Sequence, residues 1–337
     1  MKTACGGVCL LMCVLVSALA LAQGAANPFV GRWALTLPND GPGWLGVEQK
    51  DGHLVGGLLW YGGSVNPLDS VECNGDTLNA KIVKTVEKKD AAGKVTGTQV
   101  FTEILSCRVE GDTLKGARSN PGPDGKGTSK FEFTGKRIPP VPPAPDLSKV
   151  KFGDPIQLFN GKDLDGWELT VPTARNGWSV KDGILDNNPA QQEGKLHLGY
   201  GNLRTVKEFE DFNLTLEVNV PPDGNSGIYL RGIYEVQVAD TYGQPIDPHN
   251  MGGIYSRIAP VIANEKPAGE WQTFDITLVD RHVNVILNGK TIIDNAPLEG
   301  CTGGALWSDE FKPGPIYLQG DHTGIKYRNI VITPVVK

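Results

Sequence analysis

Apolar and polar residues alternate along most of this chain, and the clearest case is "NSGIYLRGIYEVQVAD", Asn225–Asp240. Its even positions from Ile228 are Ile228, Leu230, Gly232, Tyr234, Val236 and Val238. Its odd positions are Tyr229, Arg231, Ile233, Glu235 and Gln237. A period of two predicts strand, with the even face turned to a core. Runs such as "FNLTLEVNV", "WQTFDITLVD", "HVNVILNGKTI", "GPIYLQGD" and "YRNIVITP" repeat the pattern, with Gly, Asn and Pro between them. Short strands with little helical periodicity predict an all-β chain, here a two-sheet jelly-roll β-sandwich. Asn288-Gly289 stands where a type I′ hairpin turn needs two positive φ angles.

Upstream, "VEQKDGHLVGGLLWY", "VECNGDTLNAKIV" and "CRVEGDTLKGARS" read as consecutive hairpins. They predict a smaller β-barrel or meander domain, with Trp33, Trp44 and Trp60 packing its core or rim. "RIPPVPPAPDL" favours extended polyproline II and is expected to act as a semi-rigid spacer. The predicted organisation is a leader over 1–22, a barrel-like domain over 27–137, a proline-rich linker over 138–147 and a jelly roll over 148–337.

The leader carries Lys2, then the apolar "VCLLMCVLVSALALA" and A-x-A sites ending at Ala20 or Ala22. This predicts a secretory signal and a periplasmic or extracellular protein. No later run reaches the ~18 apolar residues of a membrane span. A net charge of -6 argues against nucleic acid or an anionic membrane as partner, and neutral sugars or other small polar molecules fit at least as well. Export permits disulfides, and Cys73 and Cys107, both in strand-like runs, are expected to pair, leaving Cys301 buried.

The odd face of Asn225–Asp240 is unusual for a wet surface. Tyr229, Arg231, Glu235 and Gln237 combine flat contact area, a forked donor, an ionisable acceptor and an amide, which suits a sugar site. "PIYLQGDH" shows the same alternation, with Tyr317, Gln319 and Asp321 on one face and His322 next. Asp247 with His249, and Asp321 with His322, lack the spacing of a zinc site. A divalent cation held by scattered loop oxygens stays open. No G-x-S-x-G elbow, phosphate loop or dinucleotide fingerprint occurs.

From about Pro155 to Pro334 the chain resembles the 3-keto-disaccharide hydrolase domain family, whose fold is the concanavalin A-like jelly roll. The motifs are "LFNGKDLDGW", "GWSVKDGIL", "DFNLTLEV", "NSGIYLRGIYEVQVAD", "GGIY", "KPAGEWQTFDI", "LNG", "GPIYLQGDH" and "YRNIVITP", in that order. The resemblance implies action on glycosides already oxidised at C3. It leaves the upstream domain unassigned. Asn225, Asp240 and Tyr255 join Tyr229, Gln237, Tyr317 and Gln319 as substrate-binding candidates.

A C3 ketone makes the C2–H acidic, so a base can remove it, the C1 substituent can leave, and water can add back. Such a site needs a base, a donor or cation for the enolate oxygen, and an acid for the leaving group. Glu235 is the candidate base, Arg231 or a divalent ion the oxyanion partner, and Asp321 or His322 the acid. Two other readings stand beside this one. A lectin-like protein would use the same aromatic and amide residues without turnover. A direct retaining glycosidase would use Glu235 and Asp240 in E-x-Q-x-x-D, although Asp240 has the opposite strand parity. Trp167 and Trp178 are expected at the sandwich edge, Trp271 in the core, Arg328 in a buried pair, and Thr241–Pro260 as a rim over the groove.

Overall fold

In the computed structural model, residues 27–90, 93–122, 127–191 and 198–336 are described. The predicted leader lies outside them. The first part of the chain closes into an eight-stranded antiparallel barrel. Its strands run in sequence order from Gly31–Thr36 through Pro42–Lys50, His53–Trp60, Ser70–Asn74, Thr77–Lys89, Val95–Glu110 and Thr113–Pro121 to Thr128–Ile138, which pairs back onto the first. Alternate residues point inward. Trp33, Leu35, Leu45, Val47, Leu58, Leu78, Leu105, Leu114 and Phe133 fill the interior, and the hairpin of Thr77–Lys89 and Val95–Glu110 extends beyond its neighbouring strands.

The second part is a two-sheet sandwich. Its larger sheet centres on Ile325–Pro334, Phe212–Asn219 and Trp271–Val279. Its smaller sheet has the order Trp167–Leu169, Leu203–Thr205, Tyr317–Leu318, Asn225–Leu230 and Tyr234–Ala239. Leu214, Leu216 and Val218 of one sheet and Ile228, Val236 and Val238 of the other share one core, as aligned sheet packing requires. The hairpin at Asn288-Gly289 takes the expected positive φ at both residues, 49° and 78°.

Four expectations change. Cys73 and Cys107 are free thiols. Each pairs with Leu78 from opposite sides, so a whole strand separates them, about 10 Å from Cα to Cα, beyond disulfide reach. The proline segment is no spacer, because Arg281 donates to the carbonyls of Pro139 and Pro140 and Asn295 to that of Pro145. Trp271 lies half-buried under the Arg328 guanidinium, 4.0 Å away, rather than in the core. Trp167 and Trp178 are core residues, and Trp178 stacks on Tyr327.

Barrel and sandwich also touch. Trp44, Leu59 and Ile138 of the barrel belong to the sandwich's apolar cluster. The Arg257 guanidinium lies 4.2 Å from the Trp44 ring. Val65 N donates to Ser256 Oγ, and Ser308 Oγ to Leu35 O.

Candidate active site

Asn225–Asp240 is a hairpin and not one strand. Tyr229 pairs with Glu235 and Gly227 with Gln237, across a turn at Arg231, Gly232 and Ile233. Three turn residues preserve parity, so the odd residues of both arms share one face. Tyr317 pairs with Tyr229 from the other side. Beyond Glu235, Val236 bridges to Ile254 and Tyr255 N donates to Glu235 O, which sets Tyr255 beside Glu235. A single row therefore crosses the smaller sheet as Tyr317, Tyr229, Glu235 and Tyr255. The adjacent row holds Gln319, Gly227, Gln237 and Gly253.

This face is covered. Glu235 is 3% exposed and Tyr229 0%. A strap from Cys301 to Ala305 crosses above it. Thr302 N donates to Ile233 O, while Thr302 Oγ1 accepts from Glu235 N. Tyr229 OH lies 2.6 Å from Gly303 O and Tyr317 OH donates to Gly304 O. The barrel's Gly63 passes directly over Gly303, where an added Cβ would meet Gly63 O at 2.1 Å, so only glycine fits. The expected open groove is thus a roofed one, with Glu235 closed off beneath the strap.

Glu235 folds over Gly227, whose missing Cβ leaves room for its carboxyl. Burial pushes Glu235 up to about 8, against a hydrogen bond to Tyr229 that pulls it down. The Tyr229 and Tyr317 rings stack 3.9 Å apart, and burial raises both phenols well above their ordinary value.

The remaining sequence candidates separate from this row. Arg231 sits in the turn at φ +54°, with Nη2 donating at 2.6 Å to the carbonyls of Glu310 and Lys312. Its guanidinium does not face Glu235. Asp321 and His322 lie four and five residues beyond Tyr317, in a bend past the strand end at Leu318. Asp321 accepts from Tyr200 N, and His322 is exposed. Asp240 closes a loop by accepting from Asp223 N. Asn225 N donates to Thr323 Oγ1, and Gln237 Oε1 accepts from Val238 N. Gln319 Oε1 is buried without a partner.

The fold brings a different histidine to the row. His249 meets Tyr255 edge-on at 4.8 Å between ring centroids. Its Nδ1 is 2.5 Å from Asp247 Oδ1 and its Nε2 is 2.8 Å from Ser64 Oγ of the barrel. Asp247 accepts from Nδ1–H and orients the ring, and Nε2 shares a hydrogen bond with the Ser64 hydroxyl. The spacing Asp-x-His in "IDPHN" was the available signal for this pair. Nothing in the sequence marked Ser64, Thr302 or Gly303. Among the described residues, no three His, Cys, Asp or Glu side chains gather as metal ligands.

An all-β sandwich with a buried acid on a tyrosine-rich sheet face defines the class as a jelly-roll protein. The chain belongs to the 3-keto-alpha-glucoside-1,2-lyase-like domain family, whose model matches residues 154–333. A 3-keto-disaccharide hydrolase of Bacteroides thetaiotaomicron is 28% identical over 146 residues, covering 34% of this chain and 49% of that protein. The chain thus spans about half the length of this curated relative. A solved protein of Parabacteroides distasonis, assigned as a glycosyl hydrolase, is 32% identical over 58% of this chain and 93% of its own, with a TM-score of 0.44. A lichenase from a mouse hindgut metagenome shares 10% identity over 55% of this chain and 100% of its own, with a TM-score of 0.30. Among the described residues, no helix is long and apolar enough to cross a membrane.

Proposed function

We propose that this chain cleaves 3-keto-glycosides by removing the C2 proton, expelling the C1 substituent and adding water to the resulting enone. The observation that supports it most is the buried carboxyl of Glu235, set among Tyr317, Tyr229 and Tyr255 on one sheet face. A carboxylate in so dry a place is a far stronger base than one in water, matched to a carbon acid next to a ketone. Glu235 takes the C2 proton. The Tyr229 and Tyr317 hydroxyls, the nearest donors on the face, hold the enolate oxygen in place of Arg231. The leaving oxygen receives its proton at the open end of the row, from His249 oriented by Asp247, with Tyr255 between it and Glu235. Export of the protein, predicted from the leader, forms part of the same proposal.

The test is release of free 3-keto-glucose from 3-keto-trehalose and 3-keto-lactose by the purified protein. Release that Glu235→Gln slows at least about 10²-fold and His249→Ala slows less supports the assignment. Turnover indifferent to Glu235→Gln removes this carboxyl from the mechanism. Binding without any turnover would return the chain to the lectin reading.

A further inference from the structure

The barrel's Ser64 joins the sandwich's His249 and Asp247 in a chain of three groups that the scheme for 3-keto-glycosides uses only in part. Ser64 Oγ is 2.8 Å from His249 Nε2, and His249 Nδ1 is 2.5 Å from Asp247 Oδ1. A hydroxyl within reach of a histidine whose far nitrogen is held by a carboxylate is the arrangement that activates a serine as a nucleophile. It is recognised by distances and roles, because unrelated folds supply the three residues in different chain orders. Here they come from both halves of the molecule, and Ser64 lies outside the family match at residues 154–333.

The surroundings of Ser64 fit that role. The three groups are reachable: Ser64 is half-buried, and the His249 and Asp247 side chains are 41% and 55% exposed. Ser64 ends the tight bend "WYGGS", in which Tyr61 has φ +64° and Gly63 φ +77°. A tyrosine held in the left-handed region is a strained position, and such strain gathers at functional sites. The next amide, Val65 N, donates to Ser256 Oγ at 2.9 Å. The amide after a serine nucleophile is a usual donor to the oxyanion. Here it orients the Ser256 hydroxyl, which accepts that bond and keeps its own proton to donate. Val65 and Ser256 also line a cavity of about 240 Å³ at the barrel–sandwich seam, with apolar walls from Trp44, Ile258, Pro297 and Leu298. It falls below the roughly 300–1,000 Å³ of drug-sized sites, so it suits a short acyl chain and not a fatty one.

We infer that Ser64, His249 and Asp247 form a second reaction centre, which hydrolyses short-chain acyl esters of sugars. Asp247 holds the Nδ1–H edge of the ring, so His249 Nε2 takes the Ser64 proton as Oγ bonds to the ester carbonyl carbon. The Ser256 hydroxyl donates to the oxyanion that forms. As the bond to the alcohol oxygen breaks, His249 returns the proton to that oxygen. Water then attacks acyl-Ser64 with His249 again as base, which frees the carboxylic acid and restores the hydroxyl. Ester and water become acid and alcohol, with no other reactant. The sugar as alcohol half rests on the proposed action on sugars, whereas the ester chemistry does not, and Glu235 takes no part in it.

The experiment treats the full chain with a fluorophosphonate probe, which captures activated serines, and locates the adduct by peptide mass spectrometry. Hydrolysis of p-nitrophenyl acetate, p-nitrophenyl butyrate and glucose pentaacetate is followed alongside. An adduct on Ser64 is expected, with ester turnover that Ser64→Ala and His249→Gln each lower at least about 10²-fold. The adduct is read on the unaltered protein, so it decides even if a variant fails to fold. Glu235→Gln should hydrolyse the esters as the unaltered protein does. No adduct, an adduct on another hydroxyl, or ester turnover that survives Ser64→Ala would overturn the inference and leave Ser64–His249 as a contact joining barrel to sandwich. Ester turnover lost in Glu235→Gln would overturn it too, by moving the reaction to the sheet face. Labelling of Ser64 without turnover of 3-keto-glycosides would instead sink the earlier proposal alone.

Discussion

The Tyr229 hydroxyl sits between Glu235 Oε2, 2.7 Å away, and Gly303 O, 2.6 Å away. A phenol has one proton and the amide carbonyl can only accept. With Glu235 ionised, Tyr229 donates to it and Gly303 O loses that proton. With Glu235 carrying its own proton, Glu235 donates to Tyr229 while Tyr229 donates to Gly303, and both contacts are satisfied. Geometry and burial agree on the acid form at neutral pH. If Glu235 is the base, that proton must leave first. The rate constant kcat/KM should then rise with pH and level off above about 8. A pH–rate profile that falls through the same region would make Glu235 the proton donor.

The same shift has a consequence for stability. Glu235 is pushed up to about 8 and Glu310 to about 7, both by burial, from an unfolded value of 4.5. The folded state therefore binds more protons than the unfolded chain between those values. The stabilising contribution is fully present below about 4.5 and is lost as pH rises through about 7 to 8. Urea midpoints measured from pH 5 to pH 9 should decline over that interval. Glu235→Gln, a neutral isostere, should flatten the upper part of the decline. An unchanged slope in that variant would show that Glu235 is ionised in the folded protein.

Gly227→Ala tests the seating of the acid. An ideal Cβ there would lie 2.4 Å from Glu235 Oε1 and 2.9 Å from its Cγ. Overpacking of this kind costs about 1–3 kcal/mol. The urea midpoint should fall, and turnover should fall with it, because the carboxyl must rotate out of the row. A variant as stable as the parent would mean that the Glu235 side chain has another resting place.

The period-two pattern of Asn225–Asp240 carried the correct face for Tyr229, Glu235 and Gln237 in the two strand arms even though the segment turns back on itself. Odd-length turns keep parity, so Tyr229 and Glu235 share a face whether the chain is straight or folded. What the pattern could not carry was the turn itself. Arg231 therefore looked like a neighbour of Glu235, while its φ of +54° swings it onto the carbonyls of Glu310 and Lys312. The strap and the barrel's Ser64 were invisible for a different reason. Their contacts join residues far apart in sequence, such as Ser64 and His249, through backbone and hydroxyl groups that leave no periodic trace. Arg231→Lys checks the reassignment. A lysine cannot fork between two carbonyls, so the hairpin tip should lose stability while kcat/KM per folded molecule stays within about threefold. A selective loss of kcat would put the guanidinium back in the chemistry.

Barrel and sandwich should unfold together. Trp44 of the barrel packs in the sandwich's apolar cluster and lies under the Arg257 guanidinium, whose Nη2 donates to Cys301 O in the strap. A boundary built from a core tryptophan and a buried cation transmits unfolding, where a flexible linker would not. Circular dichroism and tryptophan fluorescence should thus give coincident denaturant transitions. Trp44→Ala removes the ring that both the cluster and Arg257 rest on, at about 3–5 kcal/mol. The single transition should split into two in that variant, and the strap, released from the seam, should expose Cys301 to thiol reagents. Two separate transitions in the unaltered protein, or a Trp44→Ala variant that still unfolds in one step with Cys301 protected, would show that the contact does not couple the two halves.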